Sequence, residues 1–450
     1  MLKSLSRSLS KDKIEAIVGK AAAAEDQEAA WNALSPLVEA QRNQRAAATS
    51  LVRVVRDQVL DVDRGLEVLA NVFQAYEEDV EMLTKIGCAM QGARDIDDLN
   101  SAPPDHPLFR DIVARLSEHA FTLRGSEQEE PVQNGLSTAA RMLARQHDEV
   151  AEQSYRRLVE LDPEYGAYHY DLGLFFKTRG RFREGMLANQ RARDLTEEPR
   201  EAYEWNLGIC ATGAREGTIA LEVWKRMNQK IEMGRFDLPE GGYPQCKIRL
   251  AERPLAERTA SNDSPGLEET IWIQRLSPCH GIVRSVLYQD LGVDYGDVIL
   301  FDGAPITYHT YGESSVPVFP HLATLIRNKY QLFDFAGTQD EAGRLADCSV
   351  DLDRDAIVYS HSESFQILCA SCWRDPDLDH KEHERTEKHV VTGRIAAPAE
   401  TDPSDLLSML DRALRKREPC RIYSPDLCEA AGQTDRARIE ERRFNMLRNN

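Results

Sequence analysis

The feature that constrains this chain most is a helical pattern that recurs about every 34 residues. Residues 167–195 read AYHYDLGLFFKTRGRFREGMLANQRARDL. Small residues, Gly173 and Gly185, fall where two helices of a pair would cross, and large ones, Leu172 and Phe176, fall where the pair would pack. This stretch therefore predicts a helix–turn–helix unit.

The same pattern occurs one repeat earlier and one repeat later. The earlier copy supplies Tyr155 and is closed by Pro163, and the later copy supplies Gly208 and Trp224, shifted by one residue. Three consecutive matches at this period are specific. Over roughly residues 132–234 the chain resembles the tetratricopeptide-repeat family.

That resemblance implies a right-handed stack of helix pairs whose concave face, lined by first helices, binds an extended peptide or a partner helix. Carried onto this chain, it implies nine groove-facing positions: Leu136, Ala140, Leu143, Tyr170, Leu174, Lys177, Trp205, Ile209 and Thr212. The Lys and Asn clamp with which some family members hold a chaperone's C-terminal carboxylate is absent here, so that ligand is not predicted. The alternative is that these side chains pack against a neighbouring helix or the C-terminal domain.

The expected fold is multidomain, with an all-α helical-repeat N-terminal half and a C-terminal α+β domain. Apolar residues keep helical spacing from residue 13 to about 235, although DIDDLNSAPPDHP interrupts the pattern because prolines cannot continue a helix. The predicted segments are a flexible N-terminus 1–12, degenerate helical repeats 13–131, repeats 132–236, a linker 237–270 and an α+β domain 271–450.

In residues 271–450 the periodicity changes to that of strands. Short β-branched or aromatic runs such as TIWIQRL, DVILFDG and YQLFDFAG are bounded by Gly, Asp and Pro. Helices are predicted over FPHLATLIRNKY, over TDPSDLLSMLDRALRKRE with Asp402 or Ser404 as the cap, and at the charged C-terminus. This half resembles no family that we recognise.

Composition excludes several classes of function. The formal net charge is −19, which argues against binding to nucleic acid or to anionic lipid. There is no uninterrupted apolar run long enough for a membrane helix and no apolar core of a secretory signal. Nine cysteines, an odd number, do not suggest a disulfide framework. We therefore expect a cytoplasmic, reduced protein.

One stretch, CASCWRDPDLDHKEHE, raises the possibility of zinc. Its candidate ligands are Cys369, Cys372, His380 and His383, and Cys420 with Cys428 is an alternative second pair. The spacing fits no standard finger or ribbon, and the alternative is a buried strand followed by a charged turn. We expect no cofactor, with zinc as the less favoured hypothesis.

A second candidate for chemistry is LSPCHG, in which Cys279 precedes His280. Adjacent residues on an extended chain point to opposite sides, so His280 is not expected to be the base for the Cys279 thiol. A base would have to come from His309, His321 or His361 through the fold. Phosphate-loop, dinucleotide-binding, zinc-protease and nucleophile-elbow motifs are all missing from the sequence.

The predicted function is a protein–protein interaction scaffold with a second binding or effector module at its C-terminal end. The alternative is a cysteine- or metal-dependent hydrolase whose site lies in residues 271–450, with the repeats recruiting substrate. A third possibility is an array bound against the chain's own C-terminal half. The partner is expected to be a protein, held through an extended peptide or a helix; its identity, the pathway and the oligomeric state are left open.

Overall fold

The computed structural model describes residues 8–93, 105–198, 200–312, 314–352, 356–369 and 385–448. The chain divides into two compact units that do not follow sequence order. Unit 1 comprises Met1–Gly242, Arg253–Pro265 and Phe301–Ala323, and unit 2 comprises Tyr243–Glu252, Gly266–Leu300 and Thr324–Asn450.

Unit 1 is helical through most of its length, as predicted. Its described helices are α1 Lys11–Ala22, α2 Gln27–Ala40, α3 Arg45–Arg56, α4 Val62–Tyr76, α5 Val80–Ala93, α6 Pro107–Thr122, α7 Glu129–Arg141, α8 Asp148–Leu161, α9 Gly166–Thr178, α10 Phe182–Asp194, α11 Glu201–Gly213 and α12 Gly217–Arg226. Side-chain oxygens of Ser10, Asp26 and Asp61 cap α1, α2 and α4, because they accept hydrogen bonds from backbone N–H groups that the first helical turn leaves unpaired.

Helices α7 to α12 form three successive pairs over the predicted repeats. Gly185 of α10 packs directly on α9, since a Cβ added there would lie 3.2 Å from the Gly173 carbonyl oxygen. Gly208 of α11 lies against the indole of Trp224 on α12, at 2.5 Å for a hypothetical Cβ. The small residues therefore stand at the helix crossings, as the repeat pattern predicts. Below, α7, α9 and α11 are called the first helices and α8, α10 and α12 the second helices.

Two hairpins complete unit 1. Strands β1 Ile231–Met233 and β2 Pro239–Gly241 pair antiparallel, and β7 Thr307–Tyr311 pairs with the first part of β8 Ser314–Ile326. The helix predicted over FPHLATLIRNKY is wrong, because most of that run belongs to β8. A continuous apolar run fits either state, and here the pairing partner decides it.

The segment predicted as a linker, 237–270, is built into both units. Its residues Cys246–Ala251 form strand β3 of unit 2. Its residues Arg253–Pro265 belong to unit 1, where Arg145 of the repeats bonds Asp263 through Nε at 3.0 Å and also donates to the Leu255 carbonyl. These contacts tie the Arg253–Pro265 part of the segment to the repeats within unit 1.

Unit 2 contains two antiparallel sheets. In one, β3 Cys246–Ala251, β4 Glu268–Arg275, β5 His280–Val283 and β6 Val298–Phe301 lie side by side. In the other the order is β10-β11-β9-β12, formed by β9 Tyr330–Gln339, β10 Ile357–Cys369, β11 Arg385–Pro398 and β12 Arg421–Tyr423.

Three helices pack with the second sheet: α13 Pro403–Arg415, α14 Pro425–Ala430 and α15 Thr434–Arg448. Asp402 caps α13 by accepting from the backbone N–H groups of Ser404 and Asp405, as predicted. The core between sheet and helices contains Phe335 and Leu406, both fully buried. Among the described residues, every helix is too short or too polar to cross a membrane.

Candidate functional site

Six of the positions implied by the family resemblance, Tyr170, Leu174, Lys177, Trp205, Ile209 and Thr212, belong to the first helices α9 and α11. Three of them are buried: Lys177 is 5% exposed, Ile209 1% and Thr212 0%. The other three, Tyr170, Leu174 and Trp205, are partly buried. Half of these six positions are therefore covered in the folded chain.

A buried ion pair accounts for Lys177. Its Nζ lies 2.5 Å from Oδ2 of Asp302, and both side chains are nearly excluded from solvent. Asp302 belongs to the Phe301–Ala323 part of unit 1 and is 125 residues further along the chain. A buried lysine is tolerated only when its charge is compensated, so this segment is what makes its position possible.

The next residue of that segment covers Trp205. A Cβ added to Gly303 would meet the indole ring at 3.0 Å, so the glycine backbone lies flat against the aromatic face. The Trp205 ring also contacts Trp224 edge-on, with ring centroids 5.2 Å apart, and its Nε1 donates to Glu201 at 3.2 Å. Trp205 is thus fixed from several sides.

Tyr170 is held within the array itself. Its ring stacks on Tyr203 at 4.6 Å between centroids, and its hydroxyl accepts from Asn206 Nδ2 at 3.2 Å. Burial raises the pKa of the Tyr170 hydroxyl. Three positions of the predicted groove face, Tyr170, Lys177 and Trp205, are thus each contacted by other residues of the same chain.

An open groove lies elsewhere in unit 1, between α6 and α8 with α7 as its floor. It has a volume of about 500 Å³, and its apolar lining includes Ala120, Phe121, Leu136 and Val150. Phe121 is 84% exposed, whereas Phe109, Ile112, Val113 and Leu116 of the same helix are buried. The lining also includes polar and charged residues, among them Arg124, Gln133 and Gln153, so Phe121 stands beside a concave surface of mixed polarity.

Sequence reasoning missed Phe121, yet the signal is present. In FRDIVARLSEHAF the residues Phe109, Ile112 and Leu116 keep the helical stripe that packs into the core, and all three are fully buried. Phe121 follows buried Ala120 and falls off that stripe, toward solvent. An apolar residue out of phase with its own helix could have indicated the groove.

The rim of this groove is charged and internally braced. Arg157 of α8 bonds Glu129 at 2.7 Å and Glu160 at 3.0 Å. The Glu129 carboxylate also accepts the Gly125 N–H at 2.6 Å, and its pKa is lowered, first by the hydrogen bond from Arg157. These contacts fix the wall of the groove without filling it.

Comparison with known proteins yields little. No known protein family matches the chain, and no curated protein matches it. Solved structures of MamA, titled "Crystal structure of MamA protein" and "Crystal structure of MamA", share 18% identity with it. The match to the first covers 40% of this chain and 88% of the MamA chain, at a TM-score of 0.27. The match to the second covers 37% of this chain and 85% of the MamA chain, also at a TM-score of 0.27. That score is too low to carry an argument, so the repeat assignment rests on the helix pairs.

The Cys279–His280 turn of unit 2 is a closed polar cluster. Both residues are fully buried, and Ser277 Oγ lies 2.5 Å from His280 Nδ1 and 3.9 Å from Cys279 Sγ. Burial lowers the pKa of His280 to about 3. An imidazole this weakly basic cannot take a thiol proton near neutral pH, in keeping with the expectation that His280 is not a base for Cys279.

The zinc hypothesis falls largely outside the described residues. Cys372, His380 and His383 lie there, and Cys369 ends β10 with its side chain undescribed. Cys420 and Cys428, the alternative pair, are fully buried, and burial raises the pKa of both thiols, that of Cys428 to about 12. In the part of the chain that is described, no group of three or more His, Cys, Asp or Glu side chains could hold a metal ion.

One carboxylate on the first helices makes stability pH-dependent. Burial raises the pKa of Asp171 in α9 to about 6, against a lowering by nearby Arg141. The raised pKa means that the folded chain favours protonated Asp171. The contribution of Asp171 to the free energy of unfolding is therefore complete below about pH 4 and is lost as the pH rises through about 6.

We expect Asp171→Asn to raise the free energy of unfolding of unit 1 by about 1–2 kcal/mol at pH 8 and to change it little at pH 4. Urea unfolding followed by far-ultraviolet circular dichroism at both pH values measures this. Asp111→Asn, an exposed site on α6, is the matched control. An equal effect of Asp171→Asn at the two pH values would contradict the assignment.

Proposed function

We propose that this chain is a protein-interaction scaffold whose helical array holds a partner protein in the α6–α8 groove. The observation that carries the proposal is Phe121, which is 84% exposed on a helix whose Phe109, Ile112 and Leu116 are buried, and which stands beside a groove of about 500 Å³. Stacked helix pairs present extended surfaces of this kind to partners.

An amphipathic helix is the partner segment that suits the groove best. Two helices flank it and a third forms its floor, so an incoming helix can pack its ridges between theirs. Ala120, Leu136 and Val150 supply the apolar lining, and the Arg157–Glu129 pair belongs to the charged rim. An apolar core with a polar rim is the usual arrangement of a protein interface.

The first-helix face takes a smaller part in this proposal. Tyr170, Leu174 and Trp205 retain some exposure and are available at its edge. Lys177, Ile209 and Thr212 are buried in the folded chain, and a partner could reach Lys177 only by displacing Asp302, with which it is paired. We therefore assign the main contact to the α6–α8 groove.

Unit 2 is proposed as a second binding or effector module. We do not extend the proposal to catalysis: Cys279 and His280 are fully buried, and burial lowers the pKa of His280 to about 3. The proposal therefore concerns binding alone.

Site-specific photo-crosslinking tests the interaction. A benzophenone amino acid is placed at position 121 and, in a control chain, at Leu187, an exposed position on α10. In cells that naturally make the protein, position 121 should give a discrete adduct that position 187 does not, and mass spectrometry should place the crosslink on a helical segment of the partner. Adducts that are the same at both positions would contradict the proposal.

A further inference from the structure

A second cavity lies in unit 2, between the β10-β11-β9 sheet and helix α15. Its volume is about 120 Å³, and the side chains that matter to its chemistry are Tyr288, Asp334, His361, Arg394, Phe444 and Arg448. None of them belongs to the surfaces described above. The cavity therefore raises a separate question of what it could hold.

The cavity carries an excess of positive charge. Arg394 Nε lies 2.8 Å from Asp334 Oδ1, and its Nη1 donates to the Leu287 carbonyl at 2.8 Å, so this guanidinium is fixed. Arg448 Nη1 approaches the other oxygen of Asp334 only to 3.5 Å. Among the side chains that line the cavity, two guanidinium groups thus face one carboxylate. The nearby Glu269 carboxylate lies outside the lining and accepts from the Tyr288 backbone N–H at 3.0 Å.

Arg448 is the group free to engage a ligand. Its side chain is 57% exposed, and its guanidinium lies over the Phe444 ring at 5.5 Å. An exposed ion pair of this length contributes between about 0 and 1 kcal/mol, so turning from Asp334 toward another anion has a small cost. Arg394 continues to neutralise Asp334 when this happens.

Aromatic rings also line the cavity. Tyr288 is 60% exposed and stacks on His361, with centroids 4.2 Å apart and planes 29° from parallel. The Tyr288 hydroxyl donates to the His361 carbonyl at 2.5 Å, and His361 Nε2 donates to the Val286 carbonyl at 2.6 Å. The stack is therefore locked in place and leaves flat aromatic surface beside a cationic group.

Charge, flat walls and size together define the ligand. A cavity of about 150 Å³ accommodates a benzene ring, so the present volume suits one small ring partly open to solvent. We propose that this cavity binds a small planar carboxylate, with the carboxylate on Arg448 and the ring against Tyr288 and Phe444. A guanidinium matches a carboxylate in planar, two-point geometry.

Ligand-observed magnetic resonance with benzoate tests the site on the full chain. We expect the wild-type chain to bind benzoate saturably with a millimolar Kd. Arg448→Gln should raise this Kd about tenfold, because a charge-assisted contact is lost. Arg438→Gln, an exposed arginine on the same helix, should leave the Kd within about twofold of wild type. Circular dichroism confirms that both variants fold, and Tyr288→Ala, which removes the ring contact, should weaken benzoate as well.

Three results would overturn the proposal. The first is a lack of saturable benzoate binding by the wild-type chain. The second is equal binding by the Arg448→Gln and Arg438→Gln variants, which would place benzoate elsewhere. The third is inorganic phosphate binding as tightly as benzoate with no effect of Tyr288→Ala, which would show that charge alone is recognised and not a planar ring.

Discussion

Replacing Lys177 with methionine is expected to lower the free energy of unfolding of unit 1 by about 3–5 kcal/mol. The reason is that the substitution leaves the Asp302 carboxylate without its partner charge. That carboxylate is almost excluded from solvent, and Lys177 Nζ at 2.5 Å compensates its charge. Removing one partner of a buried pair strands the other charge in a medium of low polarity, which costs more than the pair itself contributes.

A double variant separates this cause from a general loss of packing. Lys177→Met combined with Asp302→Leu removes both charges and should regain most of the stability, because two apolar residues can replace a buried pair at little cost. Lys225→Met, at an exposed position on α12, should change stability by less than about 0.5 kcal/mol. Urea titrations followed at 222 nm measure all three. A loss for Lys177→Met no larger than that for Lys225→Met would contradict the burial of the pair.

Gly208→Ala should destabilise unit 1 by about 1–3 kcal/mol, although alanine normally stabilises a helix. A Cβ at this position would lie 2.5 and 2.6 Å from two ring atoms of Trp224, which is fully buried and cannot withdraw. Gly19→Ala in α1 is the matched control, since nothing lies within 4 Å of the new Cβ. That substitution should stabilise by up to about 1 kcal/mol.

The opposite signs of the two glycine substitutions are the test, and thermal or urea unfolding gives both. In a Trp224→Leu background the cost of Gly208→Ala should largely disappear, because the ring that it strikes has gone. If Gly208→Ala stabilised the protein as Gly19→Ala does, the close crossing of α11 and α12 would be wrong.

The repeat pattern could be predicted because each unit closes on itself. Gly173, Gly185 and Gly208 are small for a reason that acts within about 40 residues, namely that two adjacent helices must approach closely. Such local constraints leave a periodic trace in the sequence. The helical half and the Asp402 cap of α13 were accessible in the same way.

The covering of the first-helix face could not be predicted, because its cause lies far away along the chain. The sequence around Lys177 suggests a residue that faces a groove, and the sequence around Asp302 suggests a turn at the end of a strand. Only the fold brings these two residues together. The fold also adds Arg253–Pro265 and Phe301–Ala323 to unit 1. The conversion of FPHLATLIRNKY from predicted helix to strand has the same origin, since the Pro320 carbonyl in this run accepts a hydrogen bond from the distant Asp302 backbone N–H at 3.2 Å.

The affinity of the crosslinked partner for three purified chains tests the interaction account most directly. Titration calorimetry would compare the wild-type chain with Phe121→Asp and with Leu187→Asp, which places the same charge at an exposed apolar site on α10. The account predicts a Kd at least about tenfold higher for Phe121→Asp and unchanged for Leu187→Asp, as expected when a central aromatic anchor is lost. Wild-type affinity in the Phe121→Asp chain would contradict it.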